Sequence, residues 1–144
     1  MNSLPWSVSI GAVDRELRPQ FYSSQRGQCY PLIPTVVCPT YGMLPWARGF
    51  RDFGEQGGGT SSCAPMVSGA LAILSSAFPK ARNAELRAAL RAGAMPLNPD
   101  RPYRYFDPGT GSGLLQVENS LARVTTAREH PTYGYELAFP TTVL

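Results

Sequence analysis

The chain has 144 residues, enough for one domain with a core of its own, and its 43% hydrophobic and 16% charged content excludes a disordered protein. The net charge of +3 comes mostly from scattered arginines, and the lack of a basic run or stripe argues against nucleic-acid binding. The longest apolar stretch, Ala64 to Leu74, is too short to span a bilayer, so no membrane span is expected.

Fourteen prolines and fourteen glycines make much of the chain loop. Met1 to Pro5 has neither a charged n-region nor an apolar h-region, so no secretory signal is expected within the sequence. The three cysteines, Cys29, Cys38 and Cys63, allow one internal disulfide at most. Cys29 and Cys38 could pair in an exported protein; otherwise Cys38 is a small core residue closing an apolar run. Cys63 reads as helical packing in preference to a reactive or metal-binding thiol, and no metal-ligand spacing accompanies it. Neither a metal nor a cofactor is expected.

In chain order, Trp6 to Val13 alternates apolar and small polar residues and reads as a strand central to a sheet, ended by Asp14. Asp14 to Pro19 is turn-like, and Gln20 to Tyr30 is a surface loop with a short strand. Thr35 to Cys38 is a second strand, stopped by Pro39. Tyr41 to Gln56, with Gly42, Pro45, Gly49 and Gly54 among Trp46, Phe50 and Phe53, reads as a loop or hairpin packed by its own aromatics.

The next stretch organises the rest. Gly57, Gly58 and Gly59 permit positive φ and a sharp reversal, and Thr60 or Ser61 can cap the helix that follows to Phe78. Pro65 falls in the first turn, where its missing N–H is harmless, and Pro79 ends the helix. Apolar residues on nearly every face predict a helix buried inside its domain. A second helix has Asn83 as N-cap and Gly93 as C-cap, with Leu86, Ala89 and Leu90 on one face. Pro96 to Gly113 is loop. A third helix covers about Leu115 to Val124 with Val117, Leu121 and Val124 as its stripe, and the residues after Arg128 are left unplaced.

A serine at such a turn has an exposed Oγ, unpaired backbone N–H groups beside it and the positive end of a helix dipole. Gly59-Thr60-Ser61-Ser62-Cys63-Ala64-Pro65 resembles the nucleophile motif G-T-S-x-x-x-P of subtilisin-like serine proteases, and Met66-Val67-Ser68-Gly69-Ala70 is similar to its helical continuation. Val8 to Asp14 followed by Phe21-Tyr22-Ser23-Ser24 resembles the upstream strand and "F-S-S" turn. Gly111 to Val117 resembles the G-x-G-x-x-(N/D)-(V/A) entry to the closing helix, with Gln116 in place of Asn or Asp. The resemblance covers residues 4–124 and only the C-terminal part of a complete domain. It implies an α/β fold with a largely parallel sheet and flanking helices, a C-terminal peptidase part over residues 1–124, and a tail of unknown role over 125–144.

Within that family the resemblance implies Ser61 as nucleophile, its own N–H as an oxyanion donor and Thr60 as support for the turn. The Asp, the His and the oxyanion Asn lie upstream in the family, and none of those segments is present, so the chain alone is expected to be inactive or nearly so. The implied partners are a peptide or protein substrate and the upstream part of the peptidase domain; the family's usual setting is secreted or extracytoplasmic. His130, the single histidine, reads as an ordinary tail residue, because Gly59 to Cys63 lacks the second glycine of a G-x-S-x-G elbow. Ser62 breaks the spacing to Pro65. Asp107 to Gly113 lacks both the carboxylates of a calcium loop and the lysine of a P-loop, and reads as a flexible turn. Two other readings stay open: an inactive remnant serving as a binding or structural module, and a sedolisin-type peptidase that uses Glu in place of His.

Overall fold

The computed structural model describes residues 7–25, 33–43, 55–57, 59–98 and 107–129. Ile10–Val13 (β1) and Val36–Pro39 (β2) pair in parallel, Ile10 opposite Val36 through Val13 opposite Pro39. The ladder continues past both ends, with Thr35 N–H donating to Ser9 O at 2.6 Å and Thr40 N–H to Val13 O at 3.0 Å. The far edge of β2 is occupied too: Val37 N–H donates to Gly113 O at 2.9 Å, and Leu115 N–H to Val37 O at 3.0 Å. β1, expected at the centre of a sheet, has β2 as its one partner strand among the described residues. Its other side is met by the following loop, where Gln20 N–H donates to Ala12 O and Ser23 Oγ accepts from Ala12 N–H. No strand forms in the described part of that loop, residues 20–25.

Tyr41–Met43 (β3) and Glu55–Gly57 (β4) pair antiparallel, in keeping with a hairpin. Trp46, Phe50 and Phe53 lie outside the described residues.

Three helices follow: Thr60–Ala77 (α1), Asn83–Gly93 (α2) and Val117–Glu129 (α3). Parallel sheets are stable when both faces are covered. Here α1 lays Cys63, Val67, Ala70 and Leu74 over Ala12, Val36 and Cys38, and Leu86, Ala89 and Leu90 of α2 and Val124 of α3 complete the same core. On the opposite face Gly11 lies against Ser23, Val37 and Pro34, and a Cβ there would come within 2.9 Å of Ser23 Oγ.

Several local expectations change. Arg82, not Asn83, is the N-cap of α2; its backbone N–H is met by Glu85 Oε2 at 2.7 Å, which lets Asn83 enter the first turn. Gly93 is the last helical residue and Ala94 the C-cap. The glycine is needed for close approach: a Cβ there would lie 2.5 Å from Ser120 N at the crossing of α2 and α3. α3 begins two residues later than expected and runs to Glu129 rather than Val124. The Asp107 turn is not loose. Asp107 Oδ1 accepts from Gly109 N–H, Thr110 N–H and the Thr110 hydroxyl at 2.8–3.1 Å. Cys38 is a buried free thiol, so it is not disulfide-bonded, and Cys29 lies outside the described residues.

The candidate active site

The site begins with the way α1 starts. Gly59 is its N-cap, with φ −73° and ψ −170°, an extended conformation open to any residue. The positive φ that this glycine permits is not used, and neither Thr60 nor Ser61 is the cap: both are already helical. Gly58 lies outside the described residues. The first bond of the turn runs from Ser62 N–H to Gly59 O at 2.9 Å. The Thr60 and Ser61 amides precede it, at positions where a helix offers no acceptor of its own. With no acidic residue in the first turn, the positive end of the dipole is not locally neutralised.

Ser61 is exposed, Thr60 and Ser62 are half-buried, and Cys63 is fully buried. The helical period explains this order, since Cys63 starts the inward stripe that Val67, Ala70 and Leu74 continue. Ser61, two residues earlier, therefore sits on a different face. Pro65 is the sixth helical residue rather than part of the first turn. Its missing N–H removes the i→i−4 bond to the Ser61 carbonyl, so the turn carrying the serine is less constrained by the helix behind it.

What constrains it is the end of β2. The Thr40 hydroxyl donates to Gly59 O at 3.2 Å and accepts from the Tyr22 hydroxyl at 3.1 Å. The Cys63 thiol donates to Cys38 O at 3.3 Å. Burial pushes the Cys63 thiol up. Burial, with the neighbouring Cys63 adding, pushes Cys38 up to about 12. Both thiols are thus protonated at neutral pH and poor nucleophiles. Thr40 and Tyr22 were not legible as part of the site. A threonine following a proline-stopped strand carries no periodic or motif signal.

α1 is not buried all round. One stripe faces the core, while Met66 is 44% and Ile73 50% exposed, with Gly69 and Ala72 between them also exposed. The sheet and the other two helices reach only one side of it. Among the described residues no group of His, Cys, Asp and Glu could hold a metal ion, and no helix is long and apolar enough to cross a membrane. His130 lies outside the described residues.

An exposed serine at the head of a helix, docked on a parallel strand pair, defines part of a subtilisin-like fold. The family model of the subtilases matches residues 2–129, and the chain belongs to that family. Among solved structures it is similar to the prenylagaramide maturation protease PagA, at 27% identity and TM-score 0.64, covering 84% of this chain and 43% of that one. It is also similar to fervidolysin from Fervidobacterium pennivorans (23% identity, TM-score 0.62, 84% of this chain and 20% of that one). A third similar structure is the PatG macrocyclase in complex with peptide (21%, 0.65, 84% and 37%). The last two likenesses are of fold alone. The chain spans less than half the length of each of these proteins. No curated protein matches it.

Proposed function

We propose that this chain is the nucleophile-bearing part of a serine endopeptidase in which Ser61 forms the acyl-enzyme. The observation that carries the reading is the exposure of Ser61 at the N-terminal turn of α1, within a chain of the subtilase family. In the reaction Ser61 Oγ attacks the scissile carbonyl carbon as its proton passes to a base. The C–N bond then breaks, the base returns the proton to the leaving amine, and water releases the acyl group. The Ser61 N–H donates to the oxyanion, assisted by the helix dipole, and Thr60 holds the turn.

The base, the carboxylate that orients it and a second oxyanion donor come from an upstream part of the domain. That part also covers the exposed apolar face of α1 at Met66 and Ile73. α1 has no charged residue along its 18 positions, as suits a helix with protein on both sides. The chain by itself is inactive on this account. Loss of one oxyanion donor alone costs about 3–4 kcal/mol of transition-state stabilisation. The test is peptide hydrolysis by this chain joined to the upstream part. Ser61→Ala is expected to abolish turnover while Ser62→Ala retains most of it. Turnover that survives Ser61→Ala would overturn the assignment.

A further inference from the structure

From the hydrogen bonds around Gly59 we infer that Thr40 is a positioning residue for the nucleophile turn, a role that rests on Ser61 being the nucleophile. Gly59 has no side chain, and α1 starts without a side-chain cap. Its first carbonyl would otherwise be set only by N–H groups of the helix's own first turn, that of Ser62 among them. The Thr40 hydroxyl supplies a directed bond to Gly59 O from outside the helix, 19 residues upstream. Tyr22 donates to Thr40 Oγ1, and the Thr40 hydroxyl in turn donates to Gly59 O. Thr40 is only 2% exposed, so water does not readily replace this donor.

The second tie lies symmetrically across the serine. Gly59 precedes Ser61 by two residues and is held by Thr40; Cys63 follows by two and is held through its thiol on Cys38 O. Both anchors lie at the C-terminal end of β2, Cys38 within the strand and Thr40 just after it. The turn between them has lost the helical bond to the Ser61 carbonyl because of Pro65. Attack geometry is sensitive to displacements of about 1 Å, so the orientation of the Gly59 peptide bears directly on Ser61 Oγ and the Ser61 N–H. Thr40 touches neither substrate nor reacting atoms in this account; it acts through Gly59.

The test compares Thr40→Val, which keeps the shape and removes the hydroxyl, with Thr40→Ser, which keeps the hydroxyl. In the 144-residue chain, amide exchange read by NMR is expected to quicken up to about tenfold at Ser62 in Thr40→Val, with Leu90 in α2 unchanged and Thr40→Ser close to the parent. In the chain joined to the upstream part, Thr40→Val is expected to slow fluorophosphonate capture by Ser61 to a similar degree, and Thr40→Ser to restore it. Unchanged exchange at Ser62, equal quickening at Ser62 and Leu90, or failure of Thr40→Ser to rescue would each overturn the positioning role. A parent protein that fails to react at Ser61 would instead defeat the peptidase reading, with the exchange result still deciding whether Thr40 orders the turn.

Discussion

Gly93 of α2 and Ser120 of α3 meet so closely that a Cβ on the glycine would stand 2.5 Å from the serine nitrogen and 2.6 Å from its Oγ. Ser120 is fully buried and turns its hydroxyl onto Gln116 O at 2.8 Å, so it cannot swing aside without losing that bond. Gly93→Ala is therefore expected to force α2 and α3 apart and lower stability by about 1–3 kcal/mol. Gly69, in mid-α1, has nothing within 4 Å of the same added carbon. Gly69→Ala is expected to stabilise the isolated chain by about 0.5–1 kcal/mol through helix propensity. Urea unfolding of the two variants checks both signs.

The Asp107 turn delivers Gly111 and Gly113 against the backbone of Pro34 and Met95, at φ +62° and +113°. Gly111→Ala is expected to cost about 1–2 kcal/mol for the left-handed backbone alone, with the overlap on Pro34 O adding to it. Burial would raise the Asp107 pKa, but bonds from Asn98, Gly109 and Thr110 outweigh it and hold the carboxyl below its ordinary 3.8. A depressed carboxylate stabilises the fold above its unfolded pKa, and that contribution is lost as pH falls through the lower folded value. Asp107→Asn is expected to lose about 1–2 kcal/mol at pH 7 and to unfold with a shallower dependence on pH below about 4. Thermal melts from pH 2 to 7 measure it.

At the alkaline end the sign reverses. Cys38 ionises near its ordinary 9.0 when unfolded but only at about 12 when folded, chiefly because it is buried. Its contribution is complete below pH 9 and falls as pH rises toward 12, by up to about 1.4 kcal/mol per unit. Cys38→Ala is expected to flatten this limb, whatever its own cavity cost, when urea midpoints are compared between pH 8 and 11. An equal slope in both proteins would contradict the buried-thiol account.

The exposed face of α1 gives a prediction about assembly. Ile73→Lys is expected to leave the isolated chain within about 0.5 kcal/mol of the parent, as a surface substitution does. Joined to the upstream part, the same change is expected to prevent formation of an active protein, because it buries a charge without a partner. Retained hydrolysis by that variant would show that the face stays in water.

The parts of the fold carried by local pattern were legible: the three helices, the serine at a helix head, and the strand read at Thr35 to Cys38, which is found at Val36–Pro39 with Pro39 inside it rather than stopping it. Those set by tertiary contact were not. Gly93 looks like a C-cap in sequence, and only the crossing with Ser120 shows why it is small. Gly59 stands in a glycine run that permits positive φ, yet it adopts an ordinary extended conformation and accepts a bond from Thr40. Asp107 resembles any turn aspartate until its three acceptor contacts are seen. The apolar composition of α1 says that all its faces suit burial, and the described residues pack on only one.

The most direct test of the account is to map where a fluorophosphonate attaches in the chain joined to its upstream part, by tandem mass spectrometry of the digested adduct. One adduct per chain on Ser61, absent in Ser61→Ala and absent from the 144-residue chain alone, is the expected result. An adduct on Ser62, or equal labelling after Ser61→Ala, would contradict it.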